Sequence, residues 1–453
     1  MKILAIIVFI AMYVLMTLFM SKRIWFVFGA AAIFLVTGVL PLTSVAGAIN
    51  WNVLLMIAGT MILVEFFIQS KMPNLIADIL LDKAGTVKWV IIFMSLFSGF
   101  ISAFVDNVAT VLMVAPVGIA VCKKLKISPV PMILSIAVSS NLQGAATLVG
   151  DTTSIMLGAY ADMDFLSFFW MKGRPGIFFA VELGALMTVP VMLFLFRSFK
   201  QKVQAEERTK VKDYVPTILL VLMVVLLICA SFIPNKPDIT NGLICCALAV
   251  VAMIYDYVRS KRADAKRTGA DQTGTKPAGA EHTAADSADA GKPFAGVIRA
   301  VKAVDYETLL LLLGLFLVIQ GITEVGIIDD VANAIASVGG KNMFLLYTII
   351  VWASVAASAF IDNIPYVATM LPVIRGITAA LGVEPYLLYF GLLTGATLGG
   401  NLTPVGASAN ITASGLLKKE GYAITFTDFV KIGVPFTLTA VITGYVFIWI
   451  FWH

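Results

Sequence analysis

Apolar residues run along this chain in stretches of about 20, each long enough to cross about 30 Å of hydrocarbon as a helix. Full spans fall near residues 3–20, 24–40, 51–69, 131–150 and 175–197, and then near 215–233, 239–258, 305–323, 386–403 and 430–450. Two further stretches, 88–122 and 342–380, are too long for one crossing, and each carries an Asp-Asn pair near its middle. They read as re-entrant helical hairpins with Asp106-Asn107 and Asp362-Asn363 at their tips. Non-helical backbone at membrane depth is tolerated where it lines protein or a water-filled cavity. Two ordinary spans in place of each hairpin would leave the rest of the topology unchanged. The segment 74–85 is too short and too charged to span, and its pattern predicts an amphipathic helix lying in the interface.

The pattern is written twice. Residues 102–117 read SAFVDNVATVLMVAPV and residues 358–373 read SAFIDNIPYVATMLPV, an offset of 256. The same offset matches Gly144, Thr147, Val149, Gly150 and Ile155 to Gly400, Thr403, Val405, Gly406 and Ile411. Five crossings and one hairpin per copy place the copies in opposite orientation, because five is odd. The predicted fold is therefore an all-α polytopic membrane protein of two inverted repeats, each of about five transmembrane helices plus one re-entrant hairpin, with broken helices at the midplane. Paired, interrupted segments of this kind point to the substrate site of a secondary transporter.

Charge orients the layout. Lys22-Arg23, Lys71 to Lys88, Lys123-Lys124-Leu125-Lys126, Arg197 to Lys212, Arg259 to Arg267 and Lys418-Lys419 fall on one side, expected to be cytoplasmic. The other side receives loops 41–50, 160–174, 234–238 and 324–341, which are poor in basic residues or acid-balanced. Both termini are then outside, in a membrane of the bacterial inner (cell) type. The first run, Ile3–Met20, lacks a small-residue cleavage site and reads as a retained helix. By this reading residues 1–213 form the first repeat and 214–258 the first two helices of the second. A cytoplasmic disordered linker follows at 259–303, and 304–453 completes the second repeat. The linker is rich in Ala, Gly, Thr, Asp and Lys and cannot bury a core.

Composition agrees: the 453 residues are 60% hydrophobic and 13% charged. The net charge of +5 comes from the basic loops and implies no nucleic-acid partner; the lipid bilayer is the expected surrounding. Cys122, Cys229, Cys245 and Cys246 lie in or beside apolar helices without metal-ligand spacing and read as packing residues. His282, in the linker, and the terminal His453 are the two histidines, so a histidine metal site is not expected, and no cofactor is. A homodimer is compatible with the sequence.

A carboxylate at membrane depth costs about 2.5–3.5 kcal/mol on insertion scales. Asp106 and Asp362 occupy equivalent repeat positions beside Asn107 and Asn363, and these four residues are candidate Na⁺ ligands. Each Asp could also cap the hairpin's return helix, whose N-terminus would suit an anion. The second element is Ser139-Ser140-Asn141-Leu142-Gln143-Gly144 through Thr147 and Gly150-Asp151-Thr152-Thr153-Ser154. Its twin is Gly399-Gly400-Asn401-Leu402-Thr403-Pro404 through Gly406-Ala407-Ser408-Ala409-Asn410. Gly and Pro break the helix, and amides and hydroxyls supply neutral ligands; packing by small residues alone would not require the Asn, Thr and Asp. Asp151 faces Ala407 in the twin, so the site is asymmetric in charge. Glu65, with Gln320 as its approximate counterpart, and Glu182 are weaker candidates, and Arg375 could offset Asp362 or face the exterior.

At these motifs the chain resembles the ion transporter superfamily, in the branch of arsenite pumps (ArsB), sodium/proton antiporters (NhaD) and P-proteins, with its citrate-transporter-like domain. FVDNVATVL and FIDNIPYVATMLPV resemble the P-protein hairpin motifs, and GGNLTPVGASAN the second broken helix. GDTTSIML is similar to the NhaD version and lacks the Gly-Asp-Pro-Pro-Asn of P-proteins, which leaves the substrate open. The resemblance covers nearly the whole chain outside the linker. It implies a midplane site, elevator-type movement, and a lining of Asp106, Asn107, Asn141, Thr147, Asp151, Asp362, Asn363, Asn401, Thr403 and Asn410. In the dicarboxylate branch the tips carry Ser-Asn-Thr, and Asp106 or Asp362 in place of that Ser disfavours a multivalent organic anion unless it is protonated or covered by a cation.

The leading reading is a secondary ion transporter driven by protons or Na⁺, with arsenite/antimonite efflux and Na⁺/H⁺ antiport as candidates. No GxxxxGK[ST] P-loop is present. A citrate-like carboxylate symporter and a passive anion channel are the alternatives. An intramembrane aspartyl protease lacks its Gly-x-Gly-Asp motif here and leaves the duplicated helix breaks unexplained.

Overall fold

The computed structural model describes residues 1–203, 209–271, 294–339 and 342–453, with backbone alone at 263–271 and 338–339. The first repeat is α1 (Lys2–Leu18), α2 (Arg23–Thr37), α3 (Trp51–Gln69), α4 (Met72–Lys83), α5 (Val87–Ser102), α6 (Asn107–Lys124), α7 (Val130–Gln143), α8 (Thr152–Tyr160) and α9 (Ile177–Leu195). The second is α10 (Val215–Ala230) and α11 (Thr240–Asp271), then, after α12 (Ala295–Ala303), α13 (Tyr306–Glu324), α14 (Ile327–Gly339), α15 (Met343–Ser358), α16 (Asn363–Leu381), α17 (Tyr386–Gly399), α18 (Ser408–Lys419) and α19 (Phe426–Trp452). Every predicted span holds a helix. Both hairpins form, as α5–α6 and α15–α16, with the Asp-Asn pairs at their turns.

The inverted repeats are interleaved. A central bundle contains both hairpins, the broken helices α7–α8 and α17–α18, and α9 packed on α19. Around it, α13 of the second repeat packs on α1 and α2 of the first, while α3 of the first packs on α10 and α11 of the second. Equivalent glycines allow both close approaches. A Cβ on Gly314 would come within 2.6 Å of the Val27 side chain, and one on Gly59 within 2.6 Å of the Cys245 backbone. Small residues at such crossings gain dispersion contacts that the hydrophobic effect cannot supply between helices in lipid. All residues from Met132 to Gln143 in α7, and from Leu387 to Gly399 in α17, are buried, which marks these two helices as the centre. The outer helices carry exposed Ile7, Ile10, Val221 and Val225, as lipid-facing surfaces do.

Three differences from the sequence reading have local causes. Residues 327–339, read as loop, form α14, the equivalent of the interfacial helix α4; its apolar face, including Ile327, Ile328, Ala332 and Ala336, packs on α16. Helix also occupies both ends of the stretch read as a disordered linker. Helix α11 runs on to Asp271 through an Ala-, Lys- and Arg-rich segment of good helix formers. Helix α12 buries Ala295, Gly296 and Ala300 against its neighbours. The rest of that linker, 272–293 with His282, lies outside the described residues. The loop 160–174 contains a short ribbon, Trp170–Met171 paired with Arg174–Pro175, whose carbonyl at Pro175 accepts from Trp452 Nε1 at 2.9 Å.

Candidate functional site

The two hairpin tips are built alike. Asp106 caps α6, its carboxylate accepting from the Val108 and Ala109 amides at 2.9 and 3.2 Å. Asp362 caps α16, accepting from the Ile364 amide at 3.2 Å. The N-cap role is satisfied in both copies; Asp106 is half-buried, whereas the Asp362 side chain is nearly buried. The asparagine after each Asp points into the bundle.

Asn107 Nδ2 donates to Asn141 Oδ1 at 2.9 Å. Asn141 Nδ2 in turn donates to the Thr397 carbonyl at 2.7 Å and to Asn401 Oδ1 at 3.1 Å. Asn401 Nδ2 completes the relay at the Val138 carbonyl, 2.9 Å away. On the other side, Asn363 Nδ2 approaches Asp151 Oδ2 at 3.5 Å, and Thr153 Oγ1 donates to the same oxygen at 2.8 Å. Asn141 and Asn401 are completely buried, and Asn107, Asn363 and Asp151 are nearly so. Residues from both hairpins and both broken helices therefore meet in one polar centre inside the apolar bundle.

Other predicted site residues hold this centre together. The Thr403 hydroxyl donates to the Ala359 carbonyl at 2.6 Å, and the Thr147 hydroxyl makes the equivalent bond to the Ala103 carbonyl. Each fastens a hairpin tip to its own broken helix, so these hydroxyls are committed as donors. Gly150 and Gly406 permit that junction. A Cβ on Gly150 would stand 2.6–2.7 Å from three carbonyl oxygens, those of Gly144, Ala103 and Ser102, and one on Gly406 would meet the Gly400 carbonyl at 2.6 Å. Asn410 Nδ2 ties Gly400 and Thr403 carbonyls at 3.1 and 3.2 Å, leaving its own buried Oδ1 without a partner. Thr152 is buried at the start of α8, and Ser408 is half-buried at the start of α18. The exposed carbonyls and amide oxygens of such breaks suit Na⁺ or a proton carrier, while the helix N-termini suit an anion.

The surroundings of the two tips differ. Arg23, which sequence placed in a basic loop, puts its Nη1 2.6 Å from Asp362 Oδ2 and its Nε 2.7 Å from Glu307 Oε1. The Arg23 and Asp362 side chains are only 14% and 11% exposed, so this is a nearly buried ion pair. Arg375 does not offset Asp362; it lies over the Tyr160 ring, 5.8 Å from the centroid. Asp106 instead opens on a cavity of about 260 Å³ lined by Thr60, Met61, Val64, Glu65, Ala303 and Asp305, among others. Among the described residues no lysine, arginine or histidine lines that cavity. Glu65 accepts from Gln69 Nε2 at 2.8 Å; its repeat partner Gln320 mirrors the pair by donating to Glu324 at 2.9 Å. Glu182 lies outside the centre, on α9. Among the described residues no group of three or more His, Cys, Asp or Glu side chains is placed to hold a metal ion.

Inverted repeats, re-entrant hairpins and broken helices converging on a buried polar centre define a membrane transporter. The family model described as "Citrate transporter" (CitMHS) matches residues 7–395, and the chain belongs to that family. An uncharacterized transporter of Mycobacterium tuberculosis is 27% identical over 99% of both chains. The human P protein is 23% identical over 89% of this chain and 54% of its own length. The fold is similar to that of the Alcanivorax borkumensis YdaH transporter, with a TM-score of 0.57 and 12% identity over 90% of this chain and 87% of that one. It also resembles Neisseria gonorrhoeae MtrF, described with a class of antimetabolite efflux pumps, with a TM-score of 0.54 and 12% identity over 90% and 82%.

Proposed function

We propose that this protein is a secondary active transporter that moves a small inorganic ion by elevator-type alternating access, coupled to H⁺ or Na⁺. Arsenite or antimonite efflux and Na⁺/H⁺ antiport are the candidate activities. The observation that carries this reading is the carboxylate-rich centre. Asp106 and Asp362 precede Asn107 and Asn363 at the two tips, and Asp151 lies beside Asn363, with Arg23 as the one cation paired to any of the three carboxylates among the described residues. A net negative, buried centre with amide and carbonyl oxygens favours a bound cation or proton over a bare anion.

A mismatch between the repeats supports the elevator. Asp106 shares its cavity with Thr60 to Ile68 in α3, whose repeat partners are Leu315 to Thr323 in α13. Asp362 is instead linked through Arg23 to Glu307, in the first turn of α13. A symmetric molecule would place it at least eight residues further along, roughly 12 Å at 1.5 Å per residue. Both tips thus lie towards the basic face, as in one end state of a bundle that slides against α3 and α13. Exchanging the environments of the two repeats describes the other end state. The basic face is cytoplasmic in this proposal, and Na⁺ would be held at Asp106-Asn107 and Asp362-Asn363.

The family match favours one second reading, a cation-coupled citrate or dicarboxylate symporter. Its substrate would have to enter protonated or covered by cations to tolerate Asp106. Reconstitution into liposomes with a pH-sensitive dye and a panel of arsenite, antimonite, Na⁺ and citrate separates the two. Proton- or Na⁺-driven flux of an inorganic ion supports the first reading, and citrate flux alone overturns it.

A further inference from the structure

We propose that Arg23 is a tethered counter-cation that competes with the coupling cation for Asp362, and so drives release of that cation at the basic face. The inference rests on the transport reading above and deepens it.

The pair joins the two bodies that must move. Asp362 belongs to the bundle and Arg23 to the surrounding helices, where Glu307 on α13 holds the other side of the guanidinium. Displacing the bundle along α13 breaks Arg23–Asp362 but leaves Arg23–Glu307 intact. A carboxylate of so little exposure then requires another positive partner, and Na⁺ or a proton can supply it. On return, the guanidinium re-enters at 2.6 Å and takes the place of the cation. Arg does this better than a free ion because it is always charged and already in position.

The opposite end of the molecule lacks the device. The repeat equivalent of Glu307 on α3 is Asn52, whose Oδ1 accepts from the Gly242 amide at 2.7 Å, and α11 begins with Thr240 where α2 begins with Arg23. The Asn52–Gly242 contact there joins neutral groups, and the nearby Lys236 is paired with Asp164. Among the described residues no cation lines the Asp106 cavity either, so Asp106 keeps its ligand at the basic face unless another step removes it. The effect of Arg23 is therefore sided. Release is assisted where Arg23 reaches Asp362 and unassisted at the other face.

The test uses full-length protein in oriented proteoliposomes, with Na⁺ and H⁺ as the probes, tracer Na⁺ and a pH dye as readouts, and arsenite and citrate as trial co-solutes. In R23Q the half-saturating cation concentration at the basic face should fall about tenfold, and that at the opposite face should stay within about twofold. R23K should lie close to wild type at both faces. Equal shifts at both faces, or none, overturn the role of Arg23 while leaving transport itself standing. Wild-type protein without any Na⁺- or H⁺-driven flux overturns the transport reading, and this inference with it. If R23Q does not insert, R23Q/D362N should, because it removes the nearly buried carboxylate that R23Q leaves unpaired, while Glu307 remains about half exposed. Failure of both overturns the pair as a movable link.

Discussion

The two hairpin tips carry the same residues in different company. Around Asp106 are Glu65, Asp305 and an open cavity; around Asp362 are Arg23 and Glu307. Local sequence cannot account for this, because each Asp caps its helix in the same way and each neighbouring Asn points to the same centre. The difference comes from the surrounding helices, which present the middle and far half of α3 to one tip and the first turn of α13 to the other. The repeat supplies two equivalent carboxylates, and position within the interleaved frame gives them different surroundings. In the proposed cycle Asp106 is the acceptor for a cation that enters through the cavity, and Asp362 the one that is exchanged with an internal arginine.

That comparison can be broken most severely at Asp106. Asp106→Asn should reduce coupled transport at least about 100-fold, with normal insertion, since it removes the carboxylate that has no internal counter-ion. Liposome flux together with size-exclusion of the purified protein checks both halves. Unchanged flux in D106N would place the coupling elsewhere. Asp362→Asn should also abolish coupling, but it frees Arg23 from the bundle and so should lower thermal stability as well, by about 1–3 kcal/mol for a lost charge-assisted bond. Equal melting temperatures for D106N and D362N would mean that the ion pair contributes nothing measurable.

The junctions beneath the tips offer an intermediate test. Gly150→Ala and Gly406→Ala each force a methyl against carbonyl oxygens already at 2.6–2.9 Å, which should cost about 1–3 kcal/mol of stability. Because the junctions are equivalent, the two variants should be similarly impaired, unlike the Asp pair. Thermal unfolding in detergent measures this. The smallest effect is expected between α11 and α12. Replacing residues 272–293 with a Gly/Ser segment of the same length should leave flux within about twofold, since that composition supplies neither core nor span.

Much of this architecture was legible in the sequence because duplication and apolar length are both one-dimensional signals. The hairpins followed from runs too long for one crossing, and the site from Asp, Asn and broken-helix residues at one constant offset. The interleaving of the repeats was not legible, since an apolar helix does not encode which neighbour it packs on. Arg23 was hidden for a related reason. It lies 339 residues from Asp362, next to Lys22 at a helix end, where its charge reads as topology. Helix α14 was missed because Asp329 and Asp330 at its start made the segment look like a loop. Thr147 and Thr403 read in sequence as site residues, but the contacts to Ala103 and Ala359 show their hydroxyls acting as fasteners.

Thiol accessibility at the two tips tests the account most directly. Ala109 lines the open cavity beside Asp106, whereas Pro365 is buried with its carbonyl accepting from Tyr13 at 2.6 Å. On a background free of native cysteines, A109C should react with a membrane-impermeant reagent applied at the basic face, while P365C stays protected. Imposing a Na⁺ or pH gradient that drives the cycle should expose P365C, and the coupling cation should slow labelling of A109C. Reaction of both positions from the same face at the same rate, indifferent to either gradient, would contradict a bundle that moves between two states with unequal tips.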